Sequence, residues 1–274
     1  MNKWPIVGRE GTMIMWTRQL LKENAKVAFK RNYWLCVAVS AIAMFLMGGG
    51  LGVSSSNTST QEVEDILNGQ MSVQELIAQI PPGIIFAVGL GIIIGLVVGI
   101  FMLIFVSNVA QVGCNRYFIE NREHKTNVGQ VFYGFQGGRY TSTVSIMFRK
   151  GLYIFLWSLL FWIPGIIKTY SYMMVPYIVA ENSNLDTKRV FQISRKMMRG
   201  HKWEAFVLGL SFLGWNILGA FTGGILNIFY VNPYMHAAYA EFYSAVKAEA
   251  LQKGIATADE LPGVMIPEVE IPFV

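Results

Sequence analysis

Residues 83–113 read GIIFAVGLGIIIGLVVGIFMLIFVSNVAQVG, a run without a single Asp, Glu, Lys or Arg. A helix needs roughly 20 apolar residues to cross the hydrocarbon core of a bilayer. This stretch is longer than one crossing requires and predicts a helix that tilts or continues into the cytosol. The rest of the chain has the same character: of its 274 residues 53% are apolar and 14% charged, against about 25% charged in an average soluble protein. So few charges cannot keep a surface in water. Composition selects an all-α integral membrane protein.

Five further stretches accompany the first. They are 33–53, bracketed by Lys30-Arg31 and Ser54-Ser55-Ser56-Asn57; 151–163, which Pro164-Gly165 breaks; 166–180; 205–221; and 225–246, which follows the Gly223-Gly224 turn. Between them the cations alternate. Seven Lys or Arg precede the first span, and none falls in 54–82, where Glu62, Glu64, Asp65 and Glu75 are all acidic. Six lie in 116–150 and six in 188–202, while Lys168 alone falls on the other side. Cations flanking apolar spans mark the cytoplasmic face. The pattern predicts six transmembrane helices arranged as three hairpins, with both termini cytosolic.

The same placement assigns the net charge of +5 to the membrane surface, with anionic lipid headgroups as partners, and not to nucleic acid. Cys36 and Cys114 are too few for a disulfide framework, and both sit near the reducing side. The domain plan that follows is a cytosolic, amphipathic basic helix at 1–32, a six-helix transmembrane domain at 33–248 and a flexible cytosolic tail at 249–274. Within the outer loop, 54–82, Val63, Ile66, Leu67, Val73, Leu76, Ile77 and Ile80 recur at helical spacing and predict a short amphipathic hairpin on the outer surface.

An internal repeat is visible. Lys26, Lys30 and Trp34 lead into the first span, and Arg195, Arg199 and Trp203 lead into the fifth, each set spaced by four residues and so on one helical face. A basic stripe ending in tryptophan suits an interfacial helix on anionic lipid. The third span is preceded by the basic stretch 139–150 without that spacing. The chain reads as three units, each a basic interfacial helix feeding a hairpin.

Several segments resemble an uncharacterised family of multi-pass membrane proteins from Gram-positive bacteria. They are LWSLLFWIPGIIK at 156–168, YSY at 170–172, VPYIVAEN at 175–182, MMRGHKW at 197–203, LSFLGW at 210–215, VNPY at 231–234 and YAEFY at 239–243. The resemblance covers about 19–243 and implies a multi-pass topology in the bacterial cytoplasmic membrane, with no established activity. A fainter similarity links the Pro-Gly and Pro-Tyr hairpins to the membrane portion of glycerophosphodiester phosphodiesterases. The catalytic domain of those enzymes has no counterpart here, so no activity follows from it.

No reaction centre is legible. His124, His201 and His236 form no HExxH pair, and GxSxG and GxxxxGK[ST] are absent. The chain is read as a non-enzyme without metal or cofactor. Polar residues at membrane depth are costly and are the lead that remains. Asn227, Tyr230, Tyr234 and Glu241 share a face of the sixth span, which Pro233 interrupts; Lys168, Ser171 and Tyr172 share a face of the fourth, which Pro176 interrupts. These predict a cavity between broken helices that binds or transports a small or amphipathic ligand. Lys168 near the outer boundary can instead snorkel to headgroups, and Glu241 can instead pair with a cytosolic Lys or Arg. The alternative function is a non-catalytic membrane scaffold or envelope-stress component. Gly91, Gly95 and Gly99 then supply a small-residue groove for helix packing, within the chain or with a homo-oligomer or membrane partner.

Overall fold

The computed structural model describes residues 6–7, 13–14, 16–46, 81–123 and 126–263. The amphipathic hairpin expected in the outer loop, and the tail beyond residue 263, lie outside the described residues. Near the start, β1 (Ile6–Val7) pairs antiparallel with β2 (Met13–Ile14). All other regular structure among the described residues is helical.

Helix α1 (Arg18–Arg31) starts where the Thr17 hydroxyl accepts the Leu20 N–H at 3.2 Å, satisfying one of the orphan donors of a helix N-terminus. Leu21, Ala25, Ala28 and Phe29 form its buried stripe, at the spacing that puts them on one face. Asn32 interrupts the helix before α2 (Tyr33–Leu46) begins. Helix α3 (Pro82–Met102) passes through a π-turn at Leu103–Ser107 into α4 (Asn108–Asn121). The stretch Phe86–Asn121, 36 residues, spans about 54 Å at 1.5 Å per residue. That exceeds a hydrocarbon core of about 30 Å, so its second half must lie beyond lipid.

A 3₁₀ helix (Val128–Phe135) leads to α5 (Tyr140–Leu160). Phe161 is extended, with φ −156° and ψ 141°, and turns the chain into α6 (Trp162–Ser171). Then come α7 (Val175–Glu181) and α8 (Thr187–Met197), the latter capped by the Asp186 carboxylate, which accepts the Lys188 N–H at 3.0 Å. Helices α9 (Lys202–Leu210) and α10 (Leu213–Phe221) run nearly end to end. Gly223 and Gly224, at φ 61° and 85°, make the left-handed turn that side chains disfavour. A second π-turn (Asn227–Val231) opens the final helix, α11 (Asn232–Gln252).

Helix α11 is the axis of the packed body. It lies against α1, α2, α4 and α8, and α4 in turn packs on α7. Phe242, Tyr243, Tyr117, Phe118 and Ile178 are among the fully buried side chains. Outside this body the usual distribution is inverted. Ile92, Ile93, Leu96 and Val97 of α3, Phe155 and Leu159 of α5, and Ile217 and Phe221 of α10 are all exposed. Contiguous exposed apolar surface of this kind is tolerated in lipid, not in water.

Among the described residues three helical stretches are long and apolar enough to cross a membrane, Phe86–Asn121, Tyr140–Leu160 and Lys202–Phe221, with the shorter apolar helix Tyr33–Leu46 beside them. Six spans are therefore not what the structure presents. The fourth expected span is split into α6 and α7, and α7 is buried throughout. The sixth becomes α11, whose residues 240–247 are all buried in the protein core. Both had apolar composition because protein, not lipid, surrounds much of their length.

Two other expectations are corrected. In the middle unit the basic stretch 139–150 belongs to α5 itself, and the element before it is the uncharged 3₁₀ helix. In the expected flexible tail, residues 253–263 fold back on the body. There Ala256 and Leu261 are buried, and the Glu260 carboxylate meets the Arg189 guanidinium at 2.6 and 2.9 Å.

Candidate functional site

The residues singled out from the fourth and sixth spans fall into separate clusters. Tyr172 packs edge-on to Phe191 at 5.1 Å and near Tyr153 at 6.3 Å. The Ser171 hydroxyl donates to the Ile167 carbonyl of its own helix, and its carbonyl accepts from the Ser194 hydroxyl. The Lys168 ammonium sits 4.5 Å from the Trp157 ring centre, a cation–π contact. On the other limb Tyr234 packs against Phe212 and Tyr230, at 5.3 and 5.8 Å, and its hydroxyl donates to the Lys22 carbonyl at 3.4 Å. Tyr230 also contacts Trp215 and Phe29. These tyrosines serve as packing side chains, and the Tyr234 hydroxyl also finds a hydrogen-bond partner.

Asn227 is different. Its Oδ1 is buried and has no hydrogen-bond partner among the described residues. It presses against Gly219, where an added Cβ would lie 1.9 Å from that oxygen. The close approach joins α10 to the π-turn, and only glycine leaves the space.

Glu241 belongs to a third cluster. Its carboxylate accepts a hydrogen bond from Arg122, Nη2 to Oε2 at 3.2 Å, and the ion pair brings Arg122 Nε within 2.9 Å of Oε1. Beside this pair the Lys247 ammonium donates to Glu181 Oε2 with both side chains fully enclosed. Burial pulls the Lys247 pKa below the ordinary lysine value, and Glu181 opposes that shift. Arg116 pairs with Glu120 and donates to the Ala180 carbonyl at 2.9 Å. His201 bridges Glu204 and Glu249, tying the start of α9 to the end of α11. Buried charges are costly unless paired, and this network pairs them at the end of the molecule away from the exposed apolar helices. A cavity of about 450 Å³ borders it, lined by Arg116, Glu120, Glu123, Gln130, Glu181 and Gly263. Arg122, Glu181 and Lys247 carried no spacing signal, since their partners lie 66 to 119 residues away in the chain.

The expected interfacial residues all reach the surface. Lys26, Lys30, Arg195 and Arg199 are exposed, and Trp34 and Trp203 are 72% and 71% exposed. Neither triad lies on one continuous helix. Lys26 and Lys30 belong to α1 and Trp34 to α2; Arg195 belongs to α8 and Trp203 to α9. In both units a break separates the basic helix from the apolar one, and the tryptophan is the second residue after it. Lys22, further along α1, lies 4.9 Å from the Phe212 ring centre; burial lowers its pKa, and Lys26 and Arg18 add to the shift.

Among the described residues, a Cβ added at Gly91, Gly95 or Gly99 meets no atom within 4 Å. Among the described residues no cluster of three or more His, Cys, Asp or Glu side chains is placed to hold a metal, and Cys36 and Cys114 are free and buried.

Together these features define a class: an all-helical, membrane-located protein with a charged, packed body at one end and bare apolar helices at the other. Within it the chain belongs to the family described as "Protein of unknown function (DUF975)", whose model matches residues 15–250. No curated protein and no solved structure matches the chain.

Proposed function

We propose that this protein is a non-catalytic scaffold of the bacterial cytoplasmic membrane, with both termini cytosolic, seated on anionic lipid headgroups through its basic junctions. The observation that carries this reading is the exposure of two matching sets, Lys26, Lys30 and Trp34, and Arg195, Arg199 and Trp203. Each set stands where a packed helix gives way to an apolar one. Ammonium and guanidinium groups there meet phosphate, and an exposed indole is at home at the headgroup level. Helix α3, whose Ile92, Ile93, Leu96 and Val97 are exposed, provides surface for a second copy or a membrane partner.

The competing reading, transport of an amphipathic ligand between the fourth and sixth segments, has less support. Tyr172, Tyr234 and Glu241 are committed to packing and ion pairing, in three different clusters.

Brominated lipids, which quench nearby tryptophan, test the proposal in reconstituted vesicles. Brominated phosphatidylglycerol quenches the wild type more strongly than brominated phosphatidylcholine. Changing Lys26, Lys30, Arg195 and Arg199 to Gln removes that difference. Equal quenching by the two lipids in the wild type overturns the proposal.

A further inference from the structure

A groove of about 440 Å³ lies between the lower part of the long α3–α4 helix and α5, lined by Asn108, Met147, Lys150, Ile154, Phe155 and Ser158. Its position follows from the helices around it. On α5, Thr143, Ile146 and Met147 are buried in the body, whereas Leu152, Phe155, Leu156 and Leu159 are exposed. Lys150 therefore stands at the seam between the packed and the lipid-facing halves of one helix. On the opposite wall the π-turn Leu103–Ser107 ends at Asn108, and the Tyr140 hydroxyl fastens it by donating to the Phe105 carbonyl at 3.1 Å. Such π-turns widen a helix locally and are frequent at functional sites.

The chemistry of the lining is divided. Lys150 is half-buried, and among the described residues no carboxylate lies within 4 Å of its ammonium. The preceding residue, Arg149, is exposed and adds a second cation at the same level. Asn108 and Ser158 contribute an amide and a hydroxyl, while Met147, Ile154 and Phe155 form apolar walls. A half-buried cation without a counter-ion calls for an anion, and the apolar walls beside it call for hydrocarbon.

We infer that this groove binds one anionic phospholipid, its phosphate on Lys150 and Asn108 and an acyl chain along Ile154 and Phe155. The site is independent of the basic junctions proposed above, which meet the bilayer surface as a whole and hold no individual lipid.

Native mass spectrometry of the full-length protein, released from detergent after exposure to defined lipids, tests the assignment. The wild type retains one phosphatidylglycerol in preference to phosphatidylcholine of the same chain length. Lys150→Gln lowers retention about tenfold, the loss of one charge-assisted contact, and Lys150→Arg preserves it. Glycerol phosphate, which carries the headgroup charge without acyl chains, fails to displace the lipid. The variant with Gln at 26, 30, 195 and 199 still retains it, so failure of the surface proposal and failure of this one are separable. Three results overturn the inference: equal retention of the two lipids by the wild type, unchanged retention in a folded Lys150→Gln protein, or displacement by glycerol phosphate. The first needs no variant and stands even if Lys150→Gln does not fold.

Discussion

Residues 82–102 and 108–121 are two halves of one long helix, and they live in opposite surroundings. The first half contains no charged residue and, among its described residues, none that is buried. The second carries Asn, Gln, Arg and Glu, yet Val109, Val112, Cys114, Asn115, Tyr117 and Asn121 are buried. In water the order would be reversed, because apolar burial is the main favourable contribution to folding. The most apolar segment can be the least packed only where its solvent is itself apolar. Hydropathy thus places the first half in lipid, and pairing of charges places the second in protein.

That contrast can be broken first at its packed end. Lys247→Met leaves the Glu181 carboxylate buried without its cation, and removing one partner of such a pair costs about 3–5 kcal/mol. Thermal unfolding in detergent should show a destabilisation of that size. A double change to Leu at 181 and Met at 247 should recover much of it, since a packed apolar pair needs no counter-charge.

A smaller effect concerns the fold-back at 253–263. Hydrogen bonds from the Arg189 guanidinium hold the Glu260 carboxyl down at about 2, below its ordinary 4.5. A depressed folded-state value means that the stabilisation is present above pH 4.5 and is lost as pH falls toward 2. Hydrogen exchange of residues 253–263 should accelerate across that window, and in Glu260→Gln it should be fast at neutral pH as well. Protection that stays constant from pH 5 to 2 would remove Glu260 as the latch.

The smallest effect belongs to the bare end. Gly95→Leu should shift the unfolding of the isolated chain by no more than about 0.5 kcal/mol, because no atom of the described residues lies within 4 Å of the added Cβ. If the face of α3 meets a second copy, chemical cross-linking in membranes should lose its dimer band in the same variant.

Much of the architecture was legible in the sequence. Uncharged runs located the bare helices, but the spacing of Lys26, Lys30, Trp34 and of Arg195, Arg199, Trp203 reads as one helical face where the structure breaks the helix within each set. The return limbs were not legible as what they are. The stretch 232–252 is rich in Ala and Tyr, a composition that suits a core helix and a spanning helix equally. Periodicity cannot tell protein surroundings from lipid. The candidate site was harder still. Glu241 was singled out as polar material at depth, but Arg122, which accounts for it, lies 119 residues earlier. Lys150 looked like one more cytosolic cation until α5 was seen to carry it to the edge of the exposed apolar surface.

The sidedness of the charged body is open to direct measurement. Cys36 and Cys114 are both buried, so a cysteine introduced by Arg199→Cys, on the exposed junction before α9, is the one site open to a membrane-impermeant maleimide. With the basic junctions on the cytosolic side, no labelling is expected in intact cells and full labelling in inverted membrane vesicles; labelling in intact cells would place the junctions outside and contradict that orientation.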